Sequence, residues 1–124
     1  MARLLVVAVL VALEGCSLVF VSGPPPNHRD VPSFSCSQSY VAPVVDTVLT
    51  LLETVTFVTA AGDTDQLWAD KYGGDPPISR STAIPLYGVL AAIGVASMYH
   101  GYSRVAQCRC ALRELELRAI QPKP

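Results

Sequence analysis

Two long apolar segments constrain the fold of this chain more than any other feature. Residues 42–61 are dominated by Val, Leu, Ala and Thr, and a second apolar run extends from 82 to about 103. A helix rises about 1.5 Å per residue, so about 20 apolar residues match the ~30 Å hydrocarbon core of a bilayer. The acidic connection at 62–80 is rich in Asp, Gly and Pro, which form turns and loops. We therefore predict an all-α chain built on an antiparallel helical hairpin that is long enough to be transmembrane.

The ends of both helices carry recognisable signals. Pro43 lies where a first-turn proline is tolerated, and Gly62 follows the first segment as a stop signal. Ser79 or Ser81 is a candidate N-cap for the second segment, and Pro85 falls in its first turn. The threonines of the first segment also favour a strand, but its unbroken length favours a helix. We predict helices at 42–61 and 82–119, the second extended by an amphipathic stretch at its C-terminus.

The first apolar segment contains a polar stripe. Asp46, Thr50 and Glu53 recur at i, i+4 and i+7 and therefore share one helical face, opposite Val and Leu. A carboxylate in an apolar segment is costly unless it is paired or hydrated, and it marks a functional-site hypothesis. An antiparallel hairpin brings Asp46 near His100 and Arg104, which predicts an intramembrane charge pair. Thr50 and Glu53 then remain as an unpaired polar stripe, because nothing opposite Glu53 supplies a counter-charge.

The second apolar segment contains rows of small residues. Gly88, Ala92 and Ala96 recur every four residues, and we predict this row as a helix-packing face because small residues let helix backbones approach closely in lipid. A neighbouring row consists of Gly94, Ser97 and Gly101. The alternative is that Gly and Ala are simply common in apolar helices. The sequence alone favours neither a packing face nor a chance arrangement.

The amino-terminal residues are typical of an export signal. Arg3 supplies a positive charge, Leu4 to Leu13 is an apolar run of about the length of a signal-peptide core, and the small residue Gly15 precedes Cys16. The run is too short to span a bilayer, which needs about 20 apolar residues. We predict a signal helix at residues 1–15. The alternative is an uncleaved anchor that continues through the apolar residues beyond Cys16.

The residues Leu13-Glu14-Gly15-Cys16 resemble the lipobox of bacterial lipoprotein precursors. Leu13, Gly15 and Cys16 fit that pattern, whereas Glu14 stands where the family usually carries a small uncharged residue. The resemblance implies that Cys16 becomes the new amino terminus and carries a thioether-linked diacylglycerol and an amide-linked acyl chain. It also implies a membrane-anchored protein of the bacterial cell envelope that faces the periplasm, with the choice of inner or outer membrane left open.

Residues 16–40 are predicted to form a lipidated, Pro- and Ser-rich tether, since the consecutive Pro24, Pro25 and Pro26 favour an extended chain. The tether is followed by the hairpin at 41–120 and a short tail at 121–124.

Three cysteines beyond Cys16 lie on one side of the predicted hairpin. Cys36 precedes the first helix, and Cys108 and Cys110 follow the second apolar run. In an oxidising compartment such as the periplasm, Cys36 can form a disulfide with either Cys108 or Cys110. The basic residues near the same end argue for the opposite topology, since basic flanks usually remain cytoplasmic. An uncleaved amino-terminal anchor, or a hairpin packed on the membrane surface, would remove this conflict.

Composition and motifs exclude several classes of function. The net charge is −1 and the basic residues form no continuous patch, so we predict no nucleic-acid partner. The sequence shows no catalytic set, phosphate loop, metal motif, cofactor motif or small-molecule substrate site. We therefore predict a non-enzymatic envelope lipoprotein that contacts membrane lipid and uses its hairpin to associate with itself or with a membrane-protein partner. The alternative is a small oligomeric membrane protein that conducts protons or cations along Asp46 and Glu53.

Overall fold

The computed structural model describes residues 15–120, and within this range the chain is all-helical, which confirms the predicted fold class. There are four helices in the described part: α1 (Cys16–Phe20), α2 (Val41–Gly62), α3 (Asp65–Lys71) and α4 (Arg80–Ile120). The predicted signal helix, apart from Gly15, and the C-terminal tail lie outside the described residues.

Helices α2 and α4 form the antiparallel hairpin that the sequence predicts. Asp46 near the start of α2 contacts Ser97 in α4, whereas Ala60 at the end of α2 packs near Ala83 at the start of α4. Helix α2 has 22 residues and is about 33 Å long, while the 41 residues of α4 reach about 62 Å. Helix α4 therefore extends well beyond the hairpin, as predicted, and both helices are long and apolar enough to cross a membrane.

The connection at the closed end of the hairpin contains the short helix α3, where the sequence predicts only an acidic loop. Thr64 caps α3 by accepting a hydrogen bond from the backbone N–H of Leu67, at 3.2 Å. The buried indole of Trp68 packs against Ala60 and Ala83, and its Nε1 donates to the Ile78 carbonyl at 3.1 Å. These contacts fold the connection back onto the two helix ends.

Arg80 fastens the connection to the end of α2. Its Nη1 donates to the carbonyl of Ala60 at 3.0 Å, and its Nε lies 2.7 Å from Asp65 Oδ1. The last carbonyls of a helix have no intrahelical donor, so a cation placed there satisfies one of them. Gly73 and Gly74 make the turn that follows α3 with φ of 69° and 91°, a region that glycine adopts without strain.

The segment at 21–40, here called the head segment, runs along α4 instead of forming a free extended tether. Arg109 donates from Nε and Nη2 to the Gln38 carbonyl at 3.1 and 2.9 Å and also lies over the Tyr40 ring. At the far end, Arg29 lies 3.7 Å from Glu114. Proline has no backbone N–H, so a Pro-rich segment cannot supply donors for all of its own carbonyls. Arginine side chains of α4 donate to some of these carbonyls instead.

Helix α2 buries polar side chains and exposes aliphatic ones. The buried residues of α2 include Asp46, Thr50 and Glu53, whereas Leu51 and Val55 are 60% and 63% exposed. Only 22% of the most apolar window in each long helix is buried. Soluble helical pairs place their apolar faces together, so this distribution is inverted relative to a water-soluble hairpin.

Candidate functional site

Asp46 lies at the centre of a buried polar cluster that joins α1, α2 and α4. Its side chain is completely buried, and Oδ2 accepts hydrogen bonds from the backbone N–H of Ser17 at 3.0 Å and from Ser97 Oγ at 2.6 Å. We call Ser17, Asp46, Thr50, Glu53 and Ser97 the polar seam. A single carboxylate oxygen thus holds three helices together.

The predicted pairing of Asp46 with His100 or Arg104 is wrong. Helix α1 fills the open end of the hairpin and supplies the Ser17 N–H, while Arg104 lies against Gly23 of the head segment. A main-chain N–H and a hydroxyl bond to one oxygen of the carboxylate without placing a second charge in an apolar interior, which would carry its own desolvation cost. The sequence pattern within the two long helices does not reveal this donor, because it belongs to the backbone of a third helix.

Gly101 explains how α1 reaches Asp46. A Cβ at position 101 would lie 2.6 Å from Ser17 Cβ and 2.9 Å from Pro43 Cβ, and it would collide with Ser17 Oγ. Real Cβ atoms do not make such contacts, so any larger residue at 101 would push α1 away from the hairpin. Glycine therefore creates the space in which Ser17 is buried.

Gly94 has the corresponding role one layer deeper. A Cβ at position 94 would collide with Thr50 Oγ1 and lie 3.2 Å from Thr50 Cβ. The Thr50 hydroxyl donates to the Asp46 carbonyl at 2.6 Å, so it is bonded within its own helix while the Thr50 side chain lies against Gly94. The two helix backbones consequently approach closely at this level.

The face of α4 that packs against α2 is the neighbouring small row, and of the predicted row only Gly88 faces α2 within the chain. Ala92 and Ala96 are exposed, while Gly88 faces the ring of Phe57, where a Cβ would lie 3.2 Å from Cε2. The buried row instead contains Gly94, Ser97 and Gly101. The physical reason is the hydrogen bond of Asp46, which needs the Ser97 hydroxyl and therefore turns that face of α4 toward α2.

Three buried oxygens of the polar seam have no hydrogen-bond partner within the described part of the chain. They are Asp46 Oδ1, Ser17 Oγ and Glu53 Oε2. Glu53 is 6% exposed. Buried polar groups in folded proteins are nearly always satisfied, so these atoms mark the region of the hairpin with unused hydrogen-bonding capacity.

The cysteines divide into one bonded pair and two free thiols. Cys36 and Cys108 form a disulfide, which is one of the two pairings that the sequence left open. Cys110 is exposed and free, and Cys16 is free and partly exposed. Among the described residues there is no group of three His, Cys, Asp or Glu side chains that could hold a metal ion.

A groove of about 370 Å³ lies beside Cys16 at the open end of the hairpin. Its remaining lining comes from α1, the head segment and the first turns of α2: Phe20, Val21, Ser37, Ser39, Val41, Ala42 and Val45. Apart from the two serines, the walls are hydrocarbon, so the groove is suited to an apolar ligand.

Comparison with known proteins assigns no family to the chain, since no family model, curated protein or solved structure matches it. Function must therefore be inferred from the polar seam, the exposed faces of the hairpin and the surroundings of Cys16.

The sequence pattern predicts the three members of the polar seam that lie on α2 but not its two serines. Asp46, Thr50 and Glu53 do share one buried face. Ser97 could have been recognised from its place in a row with Gly94 and Gly101, because a hydroxyl flanked by glycines three and four residues away faces a closely packed helix. Ser17 could not, since its contact depends on where α1 docks.

Proposed function

We propose that this chain is a small lipoprotein of the bacterial cell envelope, anchored by a membrane-spanning hairpin and by lipid on Cys16, with a structural or interaction role rather than an enzymatic one. The observation that carries this proposal is the inverted hairpin, in which carboxylates are buried and aliphatic side chains are exposed. Membrane lipid is its first partner, and association with itself or with another membrane protein is the proposed activity.

The exposed face of α2 supports a bilayer as its surroundings. Its large apolar side chains are between 40% and 70% exposed: Val41, Val44, Val45, Val48, Leu51, Leu52, Val55 and Val58. Fully burying one such side chain is worth about 1.5–3 kcal/mol, so leaving eight of them about half-exposed in water forfeits about 6–12 kcal/mol, which is comparable with a small domain's usual net stability of about 5–15 kcal/mol. Hydrocarbon removes that cost, while the hairpin interior keeps the polar seam away from the lipid.

The disulfide supports placing the open end on the periplasmic side. Disulfides form and persist in oxidising compartments, and Cys36–Cys108 lies at the end of the hairpin that carries the head segment. The arginines at this end favour the cytoplasm by the usual charge bias. Two of them are engaged within the protein, however, because Arg109 binds the Gln38 carbonyl and Arg29 lies beside Glu114.

The surroundings of Cys16 are compatible with lipidation. The thiol is free and partly exposed, and beyond Gly15 and its chain neighbours no atom of residues 15–120 lies within 4 Å of a Cβ built on Gly15. In the proposed step the sulfur attacks the glyceryl carbon of a glycerophospholipid, so a C–S bond forms and a C–O bond breaks. The phosphate-containing headgroup leaves, and the thiol proton passes to a base. Water then hydrolyses the Gly15–Cys16 peptide bond, and the freed Cys16 amine takes an acyl group from a second glycerophospholipid, which leaves as the lysophospholipid.

Labelling of growing cells tests the anchor. Cells that express the full chain are fed a fatty-acid analogue, and the wild type is compared with Cys16→Ser. We expect label on the wild type and none on the variant. An unlabelled wild type would rule out lipidation.

A proton- or cation-conducting oligomer is the second candidate, favoured by the unpartnered oxygens of Asp46 and Glu53. Both side chains are buried between α2 and α4 of a single chain, whereas a shared path requires carboxylates that face an axis between several hairpins. Glu53→Gln should therefore leave ion flux into reconstituted vesicles unchanged. Loss of a measurable wild-type flux in the variant would favour conduction instead.

A further inference from the structure

We propose that the groove beside Cys16 seats an acyl chain attached to Cys16, so that the lipid packs against the start of α2 as part of the folded protein. This inference rests on the proposed lipidation of Cys16. It adds a defined binding site for the chain, where a simple lipid anchor would extend freely into the membrane.

The position of Cys16 is fixed by the residue that follows it. Ser17 is completely buried, its N–H is bonded to Asp46, and its side chain occupies the space left by Gly101. Cys16 is the neighbouring residue and lines the groove. A group attached to its sulfur therefore starts at a defined place beside the groove, with little freedom to begin elsewhere.

The groove has the chemistry of a hydrocarbon site. Phe20 is 73% exposed, and the walls contributed by α2 are Val41, Ala42 and Val45. The cavities farther along the head segment and α4 are of another kind, since charged residues such as Arg29, Glu114 and Arg113 line them. Because no charged side chain lines the groove, an acyl chain can lie in it without desolvating an ionic group.

The groove also leads in the direction that an acyl chain must take. Val41, Val45, Val48 and Leu52 follow one another at i, i+4, i+7 and i+11 and form one exposed stripe down α2. A chain that leaves Cys16 through the groove thus reaches the aliphatic face of α2 and continues toward the interior of the proposed bilayer. Its occupant would cover hydrocarbon that the protein itself leaves exposed.

Photo-crosslinking tests this placement in the full chain. Cells are fed a long-chain fatty acid that carries a diazirine and an alkyne, and the purified protein is irradiated, reduced and digested with trypsin. We expect label attached to Cys16 and a light-dependent crosslink between the peptide that contains Cys16 and residues 41–45, located by fragmentation in the mass spectrometer.

Matched variants separate the groove from general contact with lipid. Val45→Trp and Val41→Trp fill the groove and should lower the crosslink several-fold while label on Cys16 persists. Val48→Trp lies on the same stripe outside the groove and should keep the crosslink. The Cys36–Cys108 disulfide, assayed without reductant, reports that each variant has folded.

The outcomes are distinct. Labelled Cys16 with crosslinks spread along α2, or crosslinks unaffected by Val45→Trp and Val41→Trp, would overturn the groove and leave lipidation intact. A crosslink at 41–45 that persists in Cys16→Ser would show that a free membrane lipid occupies the groove and would overturn the attached chain. No label on wild-type Cys16 would overturn the proposed lipidation and this inference together.

Discussion

At the scale of residues, Asp46 controls how the open end of the hairpin is assembled. It is the only side chain in the described residues that bonds to both α1 and α4, through the N–H of Ser17 and the hydroxyl of Ser97. Hydrogen bonds to a charged acceptor contribute more than neutral ones, and a buried donor left without its acceptor is costly. Removing the carboxylate should therefore loosen two contacts at once.

Asp46→Ala is expected to lower the free energy of unfolding by about 2–4 kcal/mol, because it leaves the Ser17 N–H and the Ser97 hydroxyl without an acceptor. Asp46→Asn retains an acceptor oxygen and should lose less. Ser97→Ala removes one bond and should cost about 1 kcal/mol. Thermal or denaturant unfolding in detergent micelles, followed by circular dichroism, measures all three. An Asp46→Ala protein as stable as the wild type would contradict this role.

The sequence predicts the acidic residues of the seam but not their partners. A period of 3.6 places Asp46, Thr50 and Glu53 on one face regardless of tertiary structure. Their partners depend on which face of α4 turns inward and on whether another element enters the hairpin. The charged candidates His100 and Arg104 were wrong because a backbone N–H reached Asp46 instead.

At the scale of elements, close contact between α2 and α4 depends on two glycines of the buried row. Gly94 accommodates Thr50, and Gly101 accommodates Ser17 and Pro43. Ala92 and Ala96 belong to the predicted row but are exposed. These pairs provide substitutions of a small residue by the same larger residue on opposite faces of one helix.

Gly94→Leu and Gly101→Leu are expected to lower stability by at least about 1–3 kcal/mol, the usual cost of overpacking a close contact. Ala92→Leu and Ala96→Leu should have little effect, since the added atoms face outward. The same micelle unfolding assay compares the four variants. If all four variants lost the same free energy of unfolding, the buried row would not be the interface between α2 and α4.

Helix type and length are the features that the sequence predicts best. The predicted helices at 42–61 and 82–119 differ from the observed bounds by no more than two residues at any end. The helix α3 in the connection was not predicted, because its seven residues are stabilised by the burial of Trp68 and by the Thr64 cap rather than by an apolar period. Short elements of this kind depend on tertiary contacts.

At the scale of the whole molecule, the disulfide links the head segment covalently to α4, so this segment is part of the folded hairpin and not a free tether. Cys36 and Cys108 are 72 residues apart in sequence, and closing a loop of that size stabilises the fold by about 4 kcal/mol on the chain-entropy account. The sequence allowed two pairings. The choice between them follows from the packing of the head segment, since Cys108 is buried against it and Cys110 is exposed.

Thiol counting tests the disulfide and lipidation together. The denatured mature protein should add one maleimide-polyethylene glycol before reduction, at Cys110, and three after reduction, when Cys36 and Cys108 are freed. Cys16 should stay unreactive, because the proposed lipidation places its sulfur in a thioether. Four additions after reduction would show a free Cys16, and three additions before reduction would show that the disulfide is absent.

The central claim is that the inverted hairpin crosses a bilayer, with the Cys16 and head-segment end in the periplasm. A reporter that is active only in the periplasm can be placed near Gly74, at the closed end, and in a second protein after Pro124. We predict activity from the fusion after Pro124 and none from the fusion near Gly74, with both proteins present in equal amounts. Activity from both positions would place the two ends on one side of the membrane and contradict the crossing.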